Sequence, residues 1–257
     1  LEKVNFIPVQ QKGYYEMAVI DFHSHILPGI DDGARNLDVS LAMLEKIREQ
    51  KIDYMVATPH FYASQDRIEK FLDNRERAWD AFWNVIQQKN IKDRPKFLLG
   101  SEVAFFDGIS RADEIDRLTM GNTDILLLEM PFEPWTDRNI KEVRYLIEER
   151  KLRILLAHLE RFVWIPGNKK AVQKILELPV YVQINAECLL DWRHRRTIIK
   201  MFRDGVAHVL GSDCHGIHRR VPNLSEGRAV LEKKAGTELL QRIDKQGQEL
   251  LTGADII

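Results

Sequence analysis

The chain has 257 residues, 44% hydrophobic and 30% charged, and its 38 basic and 39 acidic side chains leave a formal net charge of −1. That length suits a single α/β domain with one large core, and the charge balance excludes recruitment of nucleic acid or an anionic membrane by a bulk field, so any phosphate recognition must be local. Two cysteines, Cys188 and Cys214, exclude a disulfide scaffold and fit a reducing, cytoplasmic setting, and no apolar run is long enough to span a bilayer.

Residues 1–16 have neither the apolar stretch nor the small-residue cleavage site of a signal peptide. With Met17 as a natural start they read as an N-terminal extension or expression remnant, and 17–257 as one domain. Val-, Ile- and Leu-rich runs at 18–23, 54–59, 96–103, 124–130, 154–159, 180–186 and 206–212 predict buried parallel strands. Amphipathic stretches at 38–50, 66–90, 110–118, 137–150, 168–178, 191–204 and 224–251 predict helices, with Asp38, Asp137 and Asn168 in N-cap positions. About seven strand–helix repeats, without a Gly-x-Gly-x-x-Gly fingerprint, favour an α/β barrel over an open doubly wound sheet. A barrel places its functional residues at the carboxyl ends of the strands.

Polar residues gather at those ends. His23 and His25, one residue apart at the end of the first strand, point to the same side and can reach one point. Asp32 follows shortly after. The second strand ends in Thr58-Pro59-His60, the third in Gly100-Ser101-Glu102, the fifth in Ala157-His158-Leu159-Glu160-Arg161, the sixth in Asn185-Ala186-Glu187 and the seventh in Ser212-Asp213-Cys214-His215. Any one of these histidines alone would pass for a hydrogen-bonded core residue. Together, His23, His25, His60, His158 and His215 with Asp32, Glu102 and Asp213 exceed the needs of one ion and imply a cluster of two or three. Mixed nitrogen and carboxylate donors suit Mn, Fe, Co or Zn.

These motifs, in this order, resemble the polymerase-and-histidinol-phosphatase (PHP) superfamily. Leu27-Pro28-Gly29-Ile30-Asp31-Asp32-Gly33-Ala34 and Ala157-His158-Leu159-Glu160-Arg161 resemble its CpsB/YwqE type of metal-dependent bacterial protein-tyrosine phosphatase. The resemblance implies a distorted, TIM-like (β/α)7 barrel holding three divalent ions, usually manganese. It implies that His23, His25, Glu102 and Asp213 hold one ion, that Glu102 bridges to a second helped by His60 or His158, and that Asp32 and His215 complete the set. It also implies a phosphotyrosyl protein as partner, the tail of a bacterial tyrosine kinase that controls capsule or exopolysaccharide synthesis.

Three divalent ions, three carboxylates and a bridging hydroxide leave a surplus of about two positive charges, matched by a phosphomonoester dianion that the hydroxide can attack in line. Arg161 and Arg220 are the candidate phosphate clamps, and with Asp213 they form the candidate catalytic set. Cys214 to Arg220 also spells Cys-x5-Arg, the spacing of a cysteine-dependent phosphatase, but the neighbouring Asp213 opposes a thiolate and alternation turns Cys214 away. Asn185 and Glu187 either line the pocket or cap a turn. Trp135 packs over the barrel mouth or, less simply, stacks on substrate. His194 and His218 read as surface residues and His208 as support for the last strand. The run Arg193-His194-Arg195-Arg196 reads as a solvated helix face able to attract an acidic peptide tail or another subunit, which leaves a homo-oligomer open. The competing functions are a small-molecule phosphatase of the histidinol-phosphate kind, a PHP exonuclease, disfavoured by the absence of a basic stripe, and a non-catalytic metal-stabilised interaction module.

Overall fold

The computed structural model describes residues 2–3 and 17–257, so the extension expected at 1–16 lies outside the described residues except for the short strand β1 (Glu2–Lys3). The other strands are β2 (Ile20–Ser24), β3 (Tyr54–Ala57), β4 (His60–Phe61), β5 (Lys96–Leu99), β6 (Glu102–Ala104), β7 (Ile125–Glu129), β8 (Arg153–Leu156), β9 (Tyr181–Asn185), β10 (Val209–Gly211) and β11 (Asp255–Ile256). β2, β3 and β5 pair in parallel in the order β2-β3-β5, and the order β10-β9-β8-β7-β6-β4 forms a second parallel sheet. β1 and β11 pair antiparallel at the chain ends.

The two parallel sheets are continuous through the chain. β3 gives way to β4 across Thr58-Pro59, where proline supplies no N–H to a ladder. β5 gives way to β6 across Gly100-Ser101, and His60 on β4 lies opposite Glu102 on β6. At the other edges, Ser24 bridges Cys214, the Asp213 N–H donates to the His23 carbonyl at 2.7 Å and the His25 N–H to the Cys214 carbonyl at 2.9 Å. The result is an α/β fold with a curled parallel sheet.

Both faces of this sheet are apolar, as its near-continuous hydrophobic strands predict. Along β7, Leu126 and Leu128 belong to the main core, while Ile125 and Leu127 join a second cluster with Val56, Leu98, Leu155 and Val209. Leu250, Leu251, Ala254 and Ile256 from the end of the chain seal that cluster. Continued alternation puts Glu129, the last residue of β7, on the same side as the second cluster.

The long helices are α1 (Leu37–Arg48), α2 (Ile68–Gln88), α3 (Asp137–Glu148), α5 (Lys169–Leu176), α7 (Arg195–Arg203), α8 (Leu224–Ala235) and α9 (Thr237–Leu250); α4 (Glu160–Val163) and α6 (Glu187–Leu190) are single turns. Those single turns are too short to produce a readable period. The helix expected at 110–118 is instead two 3-10 turns, Ile109–Arg111 and Ile115–Leu118. Ser110, Asp113 and Asp116 there compete with the backbone for its own hydrogen bonds. The single helix expected at 224–251 breaks at Gly236, whose φ of +94° suits glycine alone.

Two caps shift from their expected positions. Asn36, not Asp38, caps α1 by accepting from the Val39 N–H at 3.0 Å, and Thr136, not Asp137, caps α3 in a reciprocal box with Asn139. Asn168 does precede α5, but its side chain accepts from the Trp135 N–H at 2.9 Å and donates to the Phe162 carbonyl at 3.1 Å. It therefore pins the loop after β7 to α4.

α8 packs so closely on the turn after β9 that a methyl group on Gly227 would meet the Ala186 carbonyl oxygen and Cβ at 2.7 Å. Because the obstacle is backbone, Gly227→Ala should destabilise the fold by about 1–3 kcal/mol despite alanine's better helix propensity. A urea denaturation midpoint no lower than wild type would contradict this packing.

Candidate metal centre

The eight residues singled out as metal ligands converge at the carboxyl ends of the strands. Glu102, fully buried at the start of β6, is their hub. Its Oε2 lies 3.0 Å from His23 Nε2, 3.2 Å from His25 Nε2 and 3.0 Å from His60 Nδ1, and its Oε1 lies 2.8 Å from His158 Nε2. Burial alone would raise its pKa, but the surrounding histidines hold the carboxyl well below the ordinary carboxylate range. Asp213 responds in the same way, with His23 and His25 overcoming its burial.

Second partners fix which nitrogen of each ring faces inward. His23 Nδ1 donates to Gln183 Oε1 at 3.1 Å, and His25 Nδ1 donates to Asp31 Oδ2 at 2.7 Å. Those tautomers follow from the partners, and they turn both Nε2 lone pairs inward, 3.0 Å apart. Two lone pairs cannot satisfy each other; a shared proton or cation must stand between them. His215 Nδ1 donates to the Asp213 carbonyl at 2.9 Å, leaving Nε2 3.4 Å from Asp32 Oδ1, which also lies 3.4 Å from His60 Nε2. The pattern is that of metal-ligating histidines, whose outer nitrogen is held by a carboxylate or carbonyl.

Four sets of donor atoms, each mutually within 4.8 Å, arise from these residues: His25, Asp32, His60 and His215; His23, His25 and Asp213; His23, Glu102 and His158; and His60, Glu102 and Glu129. The donors fit divalent ions with mixed nitrogen and oxygen preference. Not all of these approaches have hydrogen-bond geometry: Glu102 Oε2 and His60 Nδ1 are buried beside polar atoms without forming a hydrogen bond, and His158 Nδ1 is buried with none.

Both candidate phosphate clamps reach the centre. Arg161 Nη2 donates to Asp213 Oδ2 at 2.7 Å, while Arg220 meets Asp213 Oδ1 and donates to His215 Nε2 at 2.8 Å. Their side chains stay 33% and 29% exposed, which places them at the mouth. Asn185 also belongs to the centre, since its Nδ2 donates to Asp213 Oδ2 at 2.7 Å, whereas Glu187 is exposed at the start of α6. Trp135 is buried, donates from Nε1 to the Pro131 carbonyl at 3.0 Å and packs on Phe162, so it is structural. His194 pairs with Asp191, His218 is exposed, and His208 accepts from the Val182 N–H on β9.

Sequence reasoning missed four members. Glu129, whose Oε1 lies 3.3 Å from His158 Nε2, ends β7, the fourth strand, where a single carboxylate follows a leucine run with no histidine beside it. Gln183 accepts from His23 Nδ1 and from the His158 N–H at 2.8 Å, and it sits mid-strand with no visible signal. Asp31 was overshadowed by its neighbour Asp32. Tyr62 stacks on His60 with ring centroids 5.2 Å apart, and burial followed by the nearby carboxylates pushes its phenol up to about 12.

A family model described as "Capsular polysaccharide synthesis, CpsB/CapC" matches residues 19–251. The tyrosine-protein phosphatase YwqE of Bacillus subtilis (strain 168) is 26% identical over 245 residues, 93% of each chain. The tyrosine-protein phosphatase CpsB of Streptococcus pneumoniae is 25% identical over 236 residues, 86% of this chain and 92% of that protein. A crystal structure from work on YwqE of Bacillus subtilis and CpsB of Streptococcus pneumoniae, described as metal-dependent tyrosine phosphatases, superposes with a TM-score of 0.79 at 25% identity, over 92% of this chain and 95% of that one.

Cys214 is fully buried in the main apolar core, and burial followed by the Asp21 charge pushes its thiol up to about 12. It is no nucleophile near neutrality. Iodoacetamide at pH 8 should leave Cys214 unlabelled in the folded protein and label it in urea; rapid labelling of the native chain, read by mass spectrometry, would contradict this placement.

Proposed function

The chain belongs to the CpsB/CapC capsular polysaccharide synthesis family, and on that premise we propose that it is a metal-dependent phosphomonoesterase hydrolysing phosphotyrosine in proteins. The observation that carries the reading is Glu102, one buried carboxylate facing four imidazoles, a bridging ligand's position. His23, His25 and Asp213 with Glu102 are assigned to one ion, Glu102, Glu129 and His158 to a second, and Asp32, His60 and His215 to a third. Donor sets containing His23, His25 and Asp213, and Asp32, His60 and His215, support the first and third groups, the approach of Glu102 to His23 and His25 adds it to the first, and the position of His158 Nε2 between Glu102 and Glu129 supports the second; manganese is the assigned metal.

Bound divalent ions supply Lewis-acid charge and bring the pKa of coordinated water to near neutrality. The remaining work falls to the chain. Asp213 places one oxygen among the histidines and the other against Arg161 and Asn185, linking ligand shell and clamp. Arg161 and Arg220, at the mouth, present planar forks that match phosphoryl oxygens two at a time and orient the ester bond. A tyrosine phenolate, with a pKa of about 10, leaves without strong protonation, and no side chain here is assigned as general acid. Counting Glu129 lowers the surplus charge of the loaded site to about one, still complementary to a phosphomonoester dianion.

The proposed partner is the phosphorylated tail of a bacterial tyrosine kinase in capsule or exopolysaccharide synthesis; the family description supports the capsule setting. Among the described residues no helix is long and apolar enough to cross a membrane, and cytoplasmic action is part of the proposal. So is a (β/α)7 count, in which β3 with β4 and β5 with β6 are single interrupted strands and the Ser24–Cys214 bridge closes the ring. The backbone hydrogen bonds at that bridge support it.

Chelation should abolish hydrolysis of a phosphotyrosyl peptide and Mn²⁺ should restore it; full activity in metal-stripped protein would refute the proposal. Arg161→Ala should lower kcat/KM by about 10²-fold with bound metal unchanged. By elemental analysis, Asp32→Ala should lose about one ion and Glu102→Gln more than one; equal losses would undo the bridging role.

A further inference from the structure

Among the described residues, five large hydrophobic side chains are conspicuously exposed, and four of them, Phe132, Trp164, Leu190 and Trp192, follow the neighbouring strands β7, β8 and β9 on the side of the metal centre. Trp192 is 77% exposed and Trp164 54%. Trp164 ends the turn that carries Arg161, and its ring lies 5.5 Å from that of His194. Beyond His194, along α7, lies a groove of about 640 Å³ lined by Trp192, Arg193, Arg195, Arg196, Ile199, Arg203 and Lys234, with no acidic side chain in its lining. Asp191 beside it is already paired with Arg193 and His194. Arg196 is exposed and in no ion pair among the described residues.

Solvent-facing tryptophans beside a groove lined by one sign of charge, on a chain of net charge −1, make a surface complementary to an acidic, partly apolar ligand. We propose that this rim and groove bind an acidic stretch of the protein substrate adjoining its phosphotyrosine, so that the chain selects substrates by sequence context as well as by the phosphoryl group. The inference rests on the phosphotyrosine reading above. Arginine forks take Asp and Glu carboxylates, and the indoles cover the intervening apolar or aromatic residues at little entropic cost. Aromatic and basic side chains together would also suit single-stranded nucleic acid, but the groove is a short, local patch rather than a track along the molecule.

The test compares two phosphotyrosyl peptides, one flanked by Asp and Glu and one by Ser and Asn, with p-nitrophenyl phosphate, all with Mn²⁺. Wild type should prefer the acidic peptide, and the preference should collapse in 0.5 M NaCl, where exposed charges are screened. Trp192→Ala and Arg196→Glu, both at exposed positions outside the centre, should raise KM for the acidic peptide about tenfold while leaving kcat and both other substrates within about twofold. Fluorescence anisotropy with metal-stripped protein should show the same loss of acidic-peptide binding, independently of turnover. Hydrolysis without preference, or variants that weaken both peptides equally, would overturn the inference alone. Displacement of the acidic peptide by a much lower concentration of single-stranded DNA would overturn it in favour of nucleic acid. Wild-type protein inert towards both peptides would overturn the phosphotyrosine reading and this inference with it.

Discussion

A carboxylate with no exposure to water is the constraint on which the rest of this molecule depends. Removing Glu102 from solvent costs several kcal/mol unless positive or hydrogen-bonding groups surround it, and four imidazole nitrogens within 3.2 Å supply that surround. The histidines come from strand ends far apart in sequence, so the curled sheet has to bring those ends to one point before the charge is tolerable. Fold and site are thus a single solution. A flat sheet would leave Glu102 facing apolar neighbours and His60 facing water.

The supporting layer is nearly as exacting. Gln183, Asp31 and the Asp213 carbonyl each hold the outer nitrogen of one histidine, which decides where the inner lone pair points. The backbone is bent to the same end. His158, Asp213 and Arg220 adopt φ values of +30°, +52° and +46°, a region costly for side chains that are not glycine. Each is held there by an anchored neighbour: His158 N–H by Gln183, Asp213 N–H by the His23 carbonyl and the Arg220 carbonyl by the His215 N–H. Strain at these three turns is offset by the hydrogen bonds that anchor them to the sheet.

Much of this was legible because buried parallel strands write themselves as apolar runs. All seven predicted runs contain observed strand, and polar residues at a run's end mark the site in any barrel-like fold. What escaped did so for physical reasons. Glu129 ends a run followed by Met130 and Pro131, with no histidine beside it to mark a polar strand end. Gln183 acts through an amide in mid-strand, and amides carry no sequence signature of what they orient. The helix expected at 110–118 failed because its short polar side chains compete with the backbone, and the caps moved by one or two residues because several good capping residues sit side by side.

The bridge between Ser24 and Cys214 joins residues 190 positions apart. Closing a contact of such sequence separation carries the entropy of the long stretch between its ends. His23, His25, Asp213 and His215 flank the seam at that bridge, so candidate donors from opposite ends of the chain meet across it. With that seam open, His23 and His25 on one edge would stand apart from Asp213 and His215 on the other, so the candidate donor set depends on a junction between the two ends of the parallel strand order.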